Sequence, residues 1–137
     1  MNKIKIQVKD KHIENGIPEN CYLCAVALAI DEKLSSMFKL DFTPEIYGKG
    51  NTGYALKLAI KRSNPYQTNF PNTQISMEDQ ETVDDFIFDF DNENEVQPFD
   101  FDIEISNTVL KKMKLFEKQE RKLFKNLKIS ILTWMNI

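Results

Sequence analysis

Two segments far apart in the chain alternate strictly between apolar and polar residues, and their charges are opposite. In Lys3–Lys9 the apolar set is Ile4, Ile6 and Val8 and the polar set is Lys3, Lys5, Gln7 and Lys9. In Phe99–Ile105 the apolar set is Phe99, Phe101, Ile103 and Ile105 and the polar set is Asp100, Asp102 and Glu104. A two-residue period puts successive side chains on opposite faces of a strand, so each segment predicts a strand with one buried face. If the two strands are neighbours, lysines stand across from carboxylates, and each such pair contributes about 0.2–1 kcal/mol.

The intervening chain supplies the other elements. Asn15-Gly16-Ile17-Pro18 reads as a turn, and Cys21–Leu34 as a buried helix with Asn20 as its N-cap. Leu40–Tyr47, interrupted by Pro44, reads as an edge strand or irregular segment, and with the alternating Tyr54–Ile60 it forms a hairpin with a long loop. Residues 63–73, with two prolines and three asparagines, read as a loop. Ser76-Met77-Glu78-Asp79 fits a capping box ahead of a helix that buries Val83, Phe86, Ile87 and Phe90. Leu110, Met113, Phe116, Leu123, Leu127, Ile131 and Trp134 form the stripe of a terminal helix over 108–135. The expected fold class is α+β: a small antiparallel sheet of about four strands packed with two helices, plus a long C-terminal amphipathic helix. Residues 1–106 form the core domain, and 107–137 pack on that core or on a partner chain, which allows a homo-oligomer through the helix.

A chain of 137 residues, 42% apolar and 28% charged, suits one folded domain, and ten phenylalanines predict a core built on large rings. The opening MNKIKIQV contains no signal-peptide core, and no apolar run approaches a membrane span. Two cysteines three residues apart make no disulfide framework, so a cytoplasmic location is expected. The net charge of -3 gives no reason to expect nucleic acid as a partner, but it conceals a segregation. Residues 76–105 hold twelve acidic side chains and no basic one, whereas residues 106–137 carry eight basic and two acidic. An acidic surface of this kind either imitates nucleic-acid phosphate or docks a basic partner; the plainer explanation is internal complementarity with the lysines of the first strand and the terminal helix. The acidic candidates for a docking surface are Asp84, Asp85, Asp89, Asp91, Asp100, Asp102 and Glu104.

Few patterns carry chemistry. Cys21-Tyr22-Leu23-Cys24 at a helix start resembles a thiol redox arrangement, in which the helix N-terminus stabilises a thiolate, but no alternating βαβ order follows it. A zinc site built on Cys21, Cys24 and His12 would need a fourth ligand, and two packed apolar thiols account for the pair more simply. His12 is the only histidine, so any triad would have to use it, and no serine sits in a nucleophile elbow. The acidic run lacks the glycine and ligand spacing of an EF-hand, and Gly48-Lys49-Gly50 is too short for a phosphate loop. No cofactor is expected.

The stretch from His12-Ile13-Glu14-Asn15-Gly16 through Cys21-Tyr22-Leu23-Cys24-Ala25 to Leu28-Ala29, with the later Phe86-Ile87-Phe88-Asp89-Phe90-Asp91 and Val96-Gln97-Pro98-Phe99-Asp100-Phe101, resembles a group of small phage-encoded proteins. The resemblance spans residues 4–31 and 83–105, departs from the group at Ala25, where proline is usual, and leaves the terminal helix aside. It implies a source rather than a mechanism: accessory proteins of this kind bind a host factor, block a defence system or sequester a signal molecule. The first functional reading is therefore a non-enzymatic phage accessory protein, in the host-cell cytoplasm, that binds a host protein through the acidic region or the terminal helix. The second is a binder of a small anionic, nucleotide-like ligand, held by Lys57, Lys61 and Arg62 with stacking from Tyr54 or Tyr66. The third is a thiol redox or zinc protein using the cysteine pair.

Overall fold

The computed structural model describes residues 1–50, 53–61 and 67–135, with side chains described at 1–50, 53–61 and 68–123. The two alternating segments are strands β1 (Asn2–Val8) and β7 (Phe99–Ile105), and they pair antiparallel along their whole length. The register sets Lys3 opposite Glu104, Lys5 opposite Asp102 and Gln7 opposite Asp100, while Ile4, Ile6 and Val8 stand beside Ile103, Phe101 and Phe99 on the inner face. The order of this sheet is β1-β7-β6, with β6 (Thr73–Ile75) on the other edge of β7.

A second antiparallel sheet is organised around β4 (Tyr54–Lys61). β2 (Asp41–Phe42) and β3 (Glu45–Gly48) lie along one edge of it in a single unbroken register, Asp41 opposite Lys61 and Glu45 opposite Lys57. Thr43 still donates its N–H to the Ala59 carbonyl at 2.8 Å. Pro44 fits this edge because the nitrogen of every second residue faces away from β4, as the Ile46 N–H does toward the Cys21 carbonyl, so its missing N–H costs the ladder no bond. β5 (Gln67–Phe70) covers the opposite edge of β4. The expectation of one sheet of about four strands is thus replaced by two antiparallel sheets among the described residues, and part of the 63–73 segment expected to be a loop, residues 67–70 and Thr73, is strand. Of the prolines and asparagines that suggested a loop, Pro71 and Asn72 serve a narrower purpose, while Asn64 and Pro65 lie outside the described residues. At Pro71-Asn72 the chain leaves one sheet for the other, with Asn72 at φ +58°.

The class is mixed α and β. Helix α1 (Asp10–Asn15) follows β1, α2 spans Ala25–Phe38, a single 3-10 turn (Met77–Asp79) precedes α3 (Gln80–Asp91), and α4 spans Asn107–Met135. α2 buries Ala25, Val26, Ala29, Ile30, Leu34 and Phe38, and its small residues allow close approach to the strands. It does not begin at Cys21 under an Asn20 cap. The Asn20 side chain instead accepts from the N–H groups of Tyr22 and Leu23, closing a separate turn, and Cys24 becomes the N-cap, its sulfur accepting from Ala27 N–H. The capping box expected at Ser76–Asp79 also does not form: the Asp79 carboxylate accepts from the Asp102 N–H and so fixes α3 to β7. The helix face itself is as its spacing predicts, with Val83, Phe86, Ile87 and Phe90 buried. Phe86 lies 4.6 Å from Phe99, ring centre to ring centre, and together with Phe90 and Phe101 builds the aromatic layer between α3 and the first sheet. Val109 and Met113 of α4 are buried in the same core, with Phe116 against Phe70, while Leu123 is exposed. Leu127, Ile131 and Trp134 lie outside the described side chains. No helix is long and apolar enough to cross a membrane among the described residues.

Candidate functional site

The seven acidic candidates fall into two groups. Asp100, Asp102 and Glu104 belong to β7 and share its outer face with the β1 lysines by register, Glu104 also accepting from the Gln74 amide at 3.0 Å. Asp84, Asp85, Asp89 and Asp91 belong to α3. Among the described residues no Lys, Arg or His nitrogen lies within 4.0 Å of any of the seven. Two of the α3 carboxylates have structural duties. Asp84 Oδ1 accepts from the Tyr54 N–H and from the Gln80 amide, holding the start of β4 against the helix. Asp91 Oδ1 accepts from the Glu19 N–H at 2.9 Å. Gly53, at φ +89°, presents a bare Cα to the Asp84 carboxylate, and any Cβ there would collide with it.

The helical spacing leaves Phe88 off the buried face of α3, and the structure likewise places it off that face. In the alternation Phe86-Phe88-Phe90 a strand would put all three rings on one face, but in a helix the middle one turns outward. Phe88 is 62% exposed, with Asp84 and Asp85 one turn before it and Asp91 and Asn92 one turn after. An exposed aromatic ring surrounded by carboxylates is the centre of this face.

Next to it lies a cleft of about 270 Å³ that four separate stretches of chain build together. The Asn20–Cys24 turn contributes Cys21 and Cys24 with Glu19 beside it, β3 contributes Ile46 and Tyr47, β4 contributes Tyr54, and α3 contributes Ile87 and Asp91. The turn is held from both ends: Ile17 N–H donates to the Leu23 carbonyl, and Ile46 N–H donates to the Cys21 carbonyl, each at 2.8 Å. Burial pushes the Cys24 thiol above its ordinary pKa and outweighs the backbone N–H groups of Ala27 and Val26 that oppose it, while the Asp91 carboxylate adds a smaller rise. A thiol so shifted is a poor nucleophile, the reverse of what redox catalysis requires. Burial, then the Asp91 and Asp84 carboxylates, raise the Tyr54 phenol as well.

The other sequence candidates are dispersed. Tyr54 lines this cleft, Lys61 lines a different pocket between the Tyr22-Leu23 turn and β2, and Lys57 stands opposite Glu45; Arg62 and Tyr66 lie outside the described residues. His12 is buried and fully engaged. Its Nδ1 accepts from the Lys9 N–H at 2.9 Å, which fixes the proton on Nε2, and Nε2 donates to Glu32, also at 2.9 Å. Among the described residues no group of three or more His, Cys, Asp or Glu side chains is placed to hold a metal ion.

Comparison of the chain with protein-family models, with curated proteins and with solved structures gave no match. What the site can do follows from its own chemistry. It offers carboxylates, phenol rings and an exposed phenylalanine, with no basic group among the residues lining the cleft, and burial holds its Cys24 thiol in the neutral form. Glu19, Tyr47 and Phe88 join the site only in three dimensions.

Proposed function

We propose that this protein is a non-enzymatic binding protein that docks a basic, partly apolar segment of another protein on the outer face of α3. The observation that carries this is Phe88, 62% exposed and flanked along the helix by Asp84, Asp85 and Asp91, with no compensating cation among the described residues. An apolar ring at the centre with charge around it is the arrangement of a binding hot spot, and the charge speeds encounter with a basic surface. The resemblance of residues 4–31 and 83–105 to small phage-encoded proteins supports a host protein as that partner and the host cytoplasm, with its defence systems, as the setting. The terminal helix, amphipathic by sequence over 108–135, is a second contact surface for a partner or another copy of the chain.

The test is the affinity of a labelled peptide of alternating lysine and leucine, measured by fluorescence anisotropy against salt concentration. Wild type is expected to bind, more weakly at high salt, and Phe88→Ala is expected to weaken binding about tenfold at unchanged net charge. Equal binding by the two proteins sinks this reading.

A groove of about 300 Å³ between β1 and α2, lined by Lys5, Lys9 and Lys33, favours the second reading, an anionic small ligand. Against it, Lys5 faces Asp102 across the ladder, and Glu32 lines the same groove. Native and denaturing mass spectra of the purified protein decide: a released nucleotide mass would put this reading first.

A further inference from the structure

We infer that the cleft between the Asn20–Cys24 turn, β3, β4 and α3 is a receptor for one lysine or arginine side chain of the basic segment, an inference that rests on the docking reading above and names what enters the site. A cavity of about 270 Å³ is large enough to take one long side chain. Its chemistry is that of a cation site. Tyr47 and Tyr54 supply ring faces, which attract an ammonium or guanidinium through their quadrupoles. Asp91 supplies a carboxylate, which accepts from the Glu19 N–H at Oδ1 and carries the negative charge a guest cation would pair with. Ile46 and Ile87 offer apolar surface for the aliphatic stem of a long cationic side chain.

Two further observations point the same way. Asp91 is the last residue of α3, where the helix dipole is negative, and no basic residue occupies the last turn. A carboxylate there is locally unfavourable, and a cation seated beside it removes the conflict. The cleft is also built in advance: Asn20 holds the turn, Ile46 N–H ties that turn to β3, and Asp84 holds the Tyr54 backbone, so little is left to order on binding.

The experiment uses three blocked amino acids as probes, the Nα-acetyl N-methylamides of arginine, lysine and norleucine, titrated into the full-length protein and followed by NMR. The cationic probes are expected to shift Tyr47, Tyr54 and Asp91, and uncharged norleucine is not. Asp91→Asn, which keeps an oxygen for the Glu19 N–H, is expected to weaken both the probes and the lysine–leucine peptide about tenfold. Tyr47→Ala, on a partly exposed side chain, should weaken them about threefold and serves if Asp91→Asn does not fold. A peptide that binds wild type but ignores both variants overturns the cleft inference and leaves the α3 docking face standing. A peptide that does not bind at all overturns the docking face, and the small probes then judge the cleft alone: shifts confined to its residues support it, and their absence overturns it.

Discussion

Strand β7 and helix α3 are both acidic, and neither contains a basic residue, yet the molecule treats their charge differently. On β7 the carboxylates sit within a ladder whose next strand carries the opposite sign, Glu104 by Lys3 and Asp102 by Lys5. On α3 two of the carboxylates bind backbone N–H groups, and the Phe88 ring is left 62% exposed. A sequence that satisfies local rules in one acidic region and breaks them in the next marks the second as the one serving something other than the fold. The acidity of residues 76–105 therefore divides in two: carboxylates set across from lysines in the sheet, and the carboxylates of α3, where the proposed docking face lies.

Mutations can break or sharpen this contrast. The largest effect belongs to the sheet: Ile103→Ala removes a fully buried side chain from the central strand and is expected to cost about 2–5 kcal/mol, read from the denaturant midpoint. Gly53→Ala comes next, because it combines a positive φ with a collision at Asp84; the expected loss is roughly 1–3 kcal/mol by the same measurement. Phe88→Ala should reverse the balance, leaving stability within about 0.5 kcal/mol while peptide affinity falls. If it destabilised the protein as Ile103→Ala does, Phe88 would have to be counted with the buried face of α3 and not with a binding face. A double-mutant cycle on Lys5 and Asp102 should give a coupling of about 0.2–1 kcal/mol, whereas a cycle between Asp85 and any β1 lysine should give none.

The smallest effect concerns acid. Hydrogen bonds from Lys11 and then His12 hold the Glu32 carboxyl below its ordinary value of 4.5. Its folded pKa is depressed, so its contribution to stability is complete above the unfolded value and is lost as pH falls through the folded one. Glu32→Gln should therefore be less stable than wild type at neutral pH, and the gap should close below about pH 4. Asp31 is raised by burial and acts with the opposite sign, so the comparison with the variant, rather than the wild-type acid profile alone, isolates Glu32.

The sequence by itself determined the elements whose period is local. β1, β7, the buried face of α3 and the pairing of the hairpin strands all follow from alternation or helical spacing, because a side chain's direction within an element depends only on the backbone around it. Even the charge match between β1 and β7 could be read, since two alternating strands of opposite sign satisfy one another in one register. Where groups compete, the pattern loses its authority. Asn20 and Cys24 are both able to cap α2, and the contest is settled by a bond from Ile46, far along the chain, to the Cys21 carbonyl. Strands β5 and β6 were hidden for a related reason: each is short, and each is defined by a partner strand rather than by its own composition. The cleft lay furthest from sequence reasoning. Glu19, Cys21, Tyr47, Tyr54 and Asp91 follow no common period, and only the packing of the second sheet and the Asn20–Cys24 turn against α3 brings them to one place.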